Sequence, residues 1–170
     1  MISLRKLKPK DAQYMLEWMH DKDIASCFRF DSLSFTLDDV LNFIERSIDD
    51  HENLHYAITD ETDEYLGTIS LKEIDYQKSQ AEYAISLRKK CHGQNVAKQA
   101  TDLLLDIAFN KLKLNRVYLN VLQDNKRAIR FYEKYGFKPE DKTEEIVIKN
   151  IKKKLSFYNI SRSDFNEIRN

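Results

Sequence analysis

Three stretches of this 170-residue chain place reactive or ligand-holding residue types where chemistry could be done. The first is Arg88-Lys89-Lys90-Cys91-His92-Gly93-Gln94-Asn95, which links an alternating apolar run to a run with helical period. Unsatisfied backbone N–H groups and the positive end of a helix make such a junction an anion site, and Gly93 lets the backbone come close to a ligand. Arg88, Lys89, Lys90, Lys98 and, when protonated, His92 add positive charge around it. The glycine spacing and the terminal Lys-Ser/Thr of a Walker loop are missing, as are the three glycines of a dinucleotide fingerprint. An ordinary strand-to-helix loop with a solvated basic rim fits the same residues.

The second stretch, Asn125 to Phe137, opens on a helix-capping asparagine, carries Tyr132 and closes with Gly136-Phe137. The third is Glu82, one residue from the apolar set of the strand Ala81, Tyr83, Ile85, Leu87. There a carboxylate could take a proton from an incoming amine, directly or through water, or simply face solvent. Glu73, His92 and His55 are weaker bases by position. Cys91-His92 is one adjacent pair without metal-ligand spacing, so no metal is expected. No Gly-x-Ser-x-Gly elbow of a serine hydrolase is present.

These pieces need a sheet and helices to hold them. Ile2–Leu7 reads as an opening strand, with Pro9 in the first turn of a helix whose apolar face is Ala12, Met15, Leu16 and Met19. Thr36 with Asp39 forms a capping box for a helix with Leu37, Val40, Leu41, Ile44 and Ile48 on one side. Residues 54–58 and 65–74 predict a hairpin around the turn 60–64. Gly67, inside the second of these strands, predicts a bulge or a close backbone approach. After the 81–87 strand comes a helix with Val96, Ala100, Leu103, Leu104, Ile107 and Ala108 in helical register. A strand at 117–121, the Asn125 helix and strand pieces near 145–149 and 154–160 complete a mixed α/β pattern of the α+β type, with a hairpin at each end.

Composition bounds the alternatives. Residues 1–170 show no linker or repeat and predict one domain. No apolar run approaches the roughly 20 residues needed to span a bilayer, and the N-terminus shows no signal region. Two cysteines, Cys27 and Cys91, fit a reducing cytoplasm. With 28 basic and 28 acidic residues, the chain is no general nucleic-acid binder. Residues 1–85 hold 9 Lys+Arg and 18 Asp+Glu, however, and residues 86–170 hold 19 and 10. The halves therefore carry −9 and +9. Interleaving in space would cancel these charges; otherwise one half suits an anionic ligand and the other a cationic one.

The string Asn125-x-x-Ala128-x-x-x-Tyr132-x-x-x-Gly136-Phe137, read together with His92-Gly93-Gln94-Asn95-Val96-Ala97, resembles the GCN5-related N-acetyltransferase family. The opening strand and helix with Leu16-Glu17-Trp18, the Ala81-Glu82-Tyr83 strand and Phe157-Tyr158-Asn159-Ile160 are similar to its ribosomal-protein and spermidine N-acetyltransferase branch. Amino-sugar acetyltransferases share the layout. The resemblance implies a single-domain, mostly antiparallel twisted sheet flanked by helices, and acetyl-CoA as cosubstrate. It implies direct attack of a primary amine on the thioester.

On this resemblance Ile85, Ser86 and Leu87 contact the pantetheine arm and the acetyl oxygen. The backbone N–H groups of Gly93, Gln94, Asn95, Val96 and Ala97 take the pyrophosphate, with His92 opening the loop. Asn125 meets the pantetheine region and Tyr132 protonates the leaving sulfur. The family loop usually carries glycine where Asn95 stands and Gln or Arg where His92 stands. Asn tolerates a left-handed backbone, so the turn can form. This departure motivates the alternative of a catalytically silent CoA-binding or regulatory domain on the same fold. A polyamine, an amino sugar, a peptide N-terminus and a small amine all fit an acceptor region holding Trp18, His20, Phe28, Phe30 and Phe35 with Asp21, Asp23 and Asp31. No nucleic acid or membrane partner is expected, and a homodimer is.

Overall fold

The computed structural model describes residues 1–28 and 30–170. Seven strands form one sheet: β1 (Ser3–Lys6), β2 (Leu54–Thr59), β3 (Tyr65–Asp75), β4 (Gln80–Leu87), β5 (Arg116–Leu122), β6 (Lys138–Ile148) and β7 (Ile151–Ser161). Their order is β1-β2-β3-β4-β5-β7-β6. Every pairing is antiparallel except β4 with β5. One face carries α4 (Val96–Asp106), α5 (Lys126–Tyr135) and α6 (Arg162–Arg169), through Ala100, Leu104, Tyr135 and Phe165. The other carries α1 (Ala12–Met19) and α3 (Leu37–Ser47), whose Met15, Trp18, Val40 and Ile44 pack on Ala57 and Tyr65. A one-turn helix α2 (Lys22–Ala25) lies between them in sequence.

Local chemistry sets the element boundaries. Thr36 and Asp39 form the expected capping box at α3, the Thr36 hydroxyl accepting from the Asp39 amide at 3.2 Å. Leu37 and Ile48, expected on its buried face, are exposed at the ends of the helix, and Leu103 of α4 is exposed as well. β6 begins at Lys138, well before the expected residue 145. It is an edge strand, and an edge tolerates both Pro139 and an outward run of charge. α6 was not expected; Ser161 and Asp164 cap it by the same reciprocal box as α3.

Gly67 is a close approach. A Cβ there would lie 2.5 Å from the Ser86 carbonyl oxygen of β4. Gly136 ends α5 with φ 122°, where a Cβ would meet Ile168 of α6.

Candidate active site

The one parallel pairing among the described residues creates the site. β4 and β5 are in register from Gln80 to Glu82 against Arg116 to Tyr118, and no further. β4 continues to Leu87 and β5 to Leu122, so the strands part and residues 83–87 lose a neighbour on that side. Unpaired strand backbone exposes N–H and C=O groups that an extended, amide-bearing arm can bond. A cleft of about 1230 Å³ lies along this gap. Its walls include Glu82, Ile85, Ser86, Leu87, His92, Gly93, Asn95, Val96, Ala97, Asn125 and Tyr132.

Of the expected site residues only Gln94 stays outside the cleft wall. Its N–H is turned to the Cys91 carbonyl at 3.3 Å, so it is spent inside the turn. Asn95 holds the left-handed conformation at φ 65° and ψ 9°, and Gly93 has φ 81°. The turn thus survives without the central glycine, so Asn95 lends no support to the silent-domain alternative. α4 starts directly after Asn95 with no side chain capping it. Its first N–H groups lack intrahelical partners and face an anion-ready opening.

The basic rim is smaller than the sequence suggests. Arg88 is buried under the Tyr14 ring and bonded to Glu17 at 2.6 Å and Glu64 at 3.0 Å. Lys90 also reaches Glu64, Lys98 reaches Asp102, and Lys89 lies 3.7 Å from Asp23. The cationic form of His92 is disfavoured. Burial, with the nearby Arg127 charge, lowers its pKa below the ordinary histidine value. The interleaving of the two chain halves therefore cancels much of the −9/+9 split, because Arg88, Lys89 and Lys90 from the second half meet Glu17, Asp23 and Glu64 from the first.

Tyr132 sits on the inner face of α5, packed edge-on against Tyr83 and against Phe131 and Phe137. Burial drives its pKa well above the ordinary phenol range, which keeps the proton on the oxygen. No hydrogen bond to its hydroxyl is made by any described residue. Asn125 caps α5 by accepting from the Ala128 amide at 3.3 Å while lining the cleft. Glu82 is half-buried; its carboxylate is 3.0 Å from the Lys72 ammonium and accepts from Asn120 at 2.9 Å.

A second cavity of about 570 Å³ opens on the opposite face of the sheet, between β2–β4 and the α1–α3 layer. Trp18, Phe30, Phe35, Phe43 and His55 wall it, and Asp39, Arg46 and Lys72 are its charged groups. It shares Phe30, Lys72, Ala84, Ile85 and Ser86 with the cleft, so the two meet across β4. The expected acceptor aromatics Trp18, Phe30 and Phe35 are here, while Phe28 and Asp23 line the first cleft. His20 is occupied by the Phe35 carbonyl, Asp21 caps α2, and Asp31 lies 3.9 Å from Lys149. Phe43, His55 and Lys72 were missed as acceptor walls. Alternation along β2 and β3 could have put His55 and Lys72 on one face, but not opposite α3.

His55 bonds the Ser70 hydroxyl at 2.6 Å and meets Phe43 edge-on, and burial pushes its pKa down to about 4. That makes it neutral and too weak a base for an ammonium. Glu73 is an exposed residue at φ 49° outside both cavities. Among the described residues no helix is long and apolar enough to cross a membrane.

Two parted central strands, an uncapped helix start at the mouth and a phenol inside define an acyl-CoA-dependent transferase. Residues 2–138 match the acetyltransferase (GNAT) domain family. The chain belongs to the GCN5-related N-acetyltransferase family and is an N-acetyltransferase with acetyl-CoA as cosubstrate. It is 26% identical over 139 residues to a spermidine N(1)-acetyltransferase of Vibrio cholerae, covering 82% of this chain and 80% of the relative. It is 27% identical over 142 residues to the uncharacterized N-acetyltransferase p20 of Bacillus licheniformis, with the same coverage. Its fold is similar to the crystal structure of spermidine N-acetyltransferase from Vibrio cholerae in complex with CoA and spermine, at TM-score 0.87 and 24% identity over 97% of this chain and 98% of that one.

Proposed function

We propose that this chain acetylates a primary amine of a polyamine, with residues 1–170 acting as one catalytic domain. The observation that carries the mechanism is the meeting of the two cavities at Ala84, Ile85 and Ser86, where β4 has no β5 neighbour. The thioester lies in the cleft along 85–87, its phosphates toward the N–H groups of Gly93, Asn95, Val96 and Ala97, with Asn125 beside the pantetheine. The amine approaches from the second cavity and attacks the carbonyl carbon. As the C–S bond breaks, the Tyr132 hydroxyl gives its proton to the departing thiolate. Glu82 takes the amine proton directly or through water; its Lys72 and Asn120 contacts fix where the carboxylate stands.

The polyamine class is supported by relatives named for spermidine and by the aromatic walls, which attract cations. Arg46 and Lys72 also border the cavity, so binding there rests on ring faces and Asp39 rather than on a carboxylate cluster. The assay is release of free thiol from acetyl-CoA across a panel of amines. Spermidine and spermine turning over faster than amino sugars, peptide N-termini or simple monoamines is the expected result; preference for any other class replaces the acceptor assignment.

A homodimer and a cytoplasmic setting belong to the same reading. Exposed Val147 and Ile151 on the β6–β7 hairpin support the first, and the free thiols of Cys27 and Cys91 support the second. Sedimentation at micromolar protein tests the dimer.

A further inference from the structure

Among the described residues, Arg127 at the mouth of the cleft meets no carboxylate. Arg127, in the first turn of α5, lines the cleft beside the Gly93 turn, and its Nη1 donates to His92 Nδ1 at 2.6 Å. A guanidinium has donors only, so the His92 nitrogen facing it carries no proton. The other ring nitrogen, Nε2, lies 3.3 Å from the Leu87 carbonyl and donates to it. His92 is thereby fixed between the end of β4 and the start of α5. Around it stand Arg127, Lys89 and Asp21 as charged groups. Lys98 at the same mouth pairs with Asp102, Lys89 lies 4.0 Å from Asp21 and 3.7 Å from Asp23, and Lys90, which does not line the cleft, reaches Glu64. Arg127 is held by a neutral ring instead. Its charge stays uncompensated among the described residues, and four of its five N–H donors are left for another acceptor.

A planar fork of donors beside an uncapped helix start suits an oxyanion pair, since guanidinium binds phosphate oxygens two at a time. We infer that Arg127 binds the pyrophosphate of acetyl-CoA and that His92 is the positioning residue that holds it beside the Gly93–Ala97 turn. This rests on the acetyltransferase reading above. It supplies from α5 the cationic contact that the lysines of the loop, tied to carboxylates, do not make.

The test compares three donors: acetyl-CoA, acetyl-dephospho-CoA and S-acetyl-pantetheine, the last lacking every phosphate. A charge-assisted contact is worth about tenfold or more in binding. Arg127→Gln should therefore raise KM about tenfold for acetyl-CoA and equally for acetyl-dephospho-CoA. It should leave kcat and the KM for S-acetyl-pantetheine unchanged. Arg127→Lys should fall between, keeping the charge without the fork. His92→Ala should reproduce part of the loss and His92→Gln, which can still accept from Arg127, should restore it. Equal losses on all three donors would show a structural role only, and no loss on acetyl-CoA would remove the assignment. A loss that vanishes with acetyl-dephospho-CoA would move Arg127 to the 3′-phosphate and overturn the pyrophosphate placement. Should the wild-type chain turn over no amine, the acetyltransfer reading fails by itself. Calorimetric titration of CoA against pantetheine into wild type and Arg127→Gln then decides the inference independently.

Discussion

The donor cleft and the acceptor cavity are built by different means. The cleft is mostly backbone: parted strands, a left-handed turn at Gly93 and Asn95, and the bare start of α4. The cavity is mostly side chain, with rings from α1, α3, β2 and the segment between α2 and α3 enclosing a space against β3 and β4. A backbone site tolerates much sequence change provided the turn geometry is kept, as Asn95 in place of glycine illustrates. A side-chain site changes its ligand with each substitution. The same division explains why the shared cosubstrate is easier to read here than the amine.

Changes at the two sites should separate the two substrates. Tyr132→Phe is expected to have the largest effect, lowering kcat about 100-fold through loss of the proton donor while acetyl-CoA binding measured by titration is kept. Unchanged turnover would take the acid role away from Tyr132. Gly67→Ala forces a Cβ to within 2.5 Å of the Ser86 carbonyl, on the strand that lines the cleft. It should cost about 2 kcal/mol in denaturant unfolding and raise KM for acetyl-CoA before KM for the amine.

His55 tests the other cavity by pH. Its folded-state pKa of about 4 lies below the ordinary 6.5, so between these values the unfolded chain binds a proton that the folded chain does not. Stability contributed by the neutral ring is full above pH 6.5 and falls as pH drops, by about 1.5 kcal/mol between pH 6.5 and 5. His55→Gln should flatten that part of the stability profile; an unaltered slope would place the titration elsewhere. Phe35→Ala, a wall of the acceptor cavity alone, should raise KM for a polyamine about five- to tenfold and leave KM for acetyl-CoA unchanged. Parallel changes in both constants would mean that the two cavities are not separate sites.

The legible part of the fold followed from local rules. Alternation at 54–58 and 81–87, the Thr36–Asp39 box and the Asn125 and Gly136 ends of α5 all recur in the structure. The failures are equally physical. The start of β6 from Lys138 to Glu144 gave no strand signal because an outward edge strand shows no apolar alternation, and Leu37 and Ile48 matched a helical face but overhang its ends. Arg88, Lys89 and Lys90 counted as positive charge around the anion site because sequence counts charges without showing which carboxylate each will meet.

The amino-acid order alone determined which backbone segments turn, cap and alternate, and therefore the phosphate turn, the helix carrying Tyr132 and the family. Those features depend on contacts within a few residues. Only the tertiary structure decided that β4 and β5 part after Glu82, that Lys72 meets Glu82, and that Arg127, unlike Arg88, meets no carboxylate among the described residues. These are encounters between residues 10 to 71 positions apart in the chain. They are set by how the layers pack against the sheet, a property no local stretch of sequence carries.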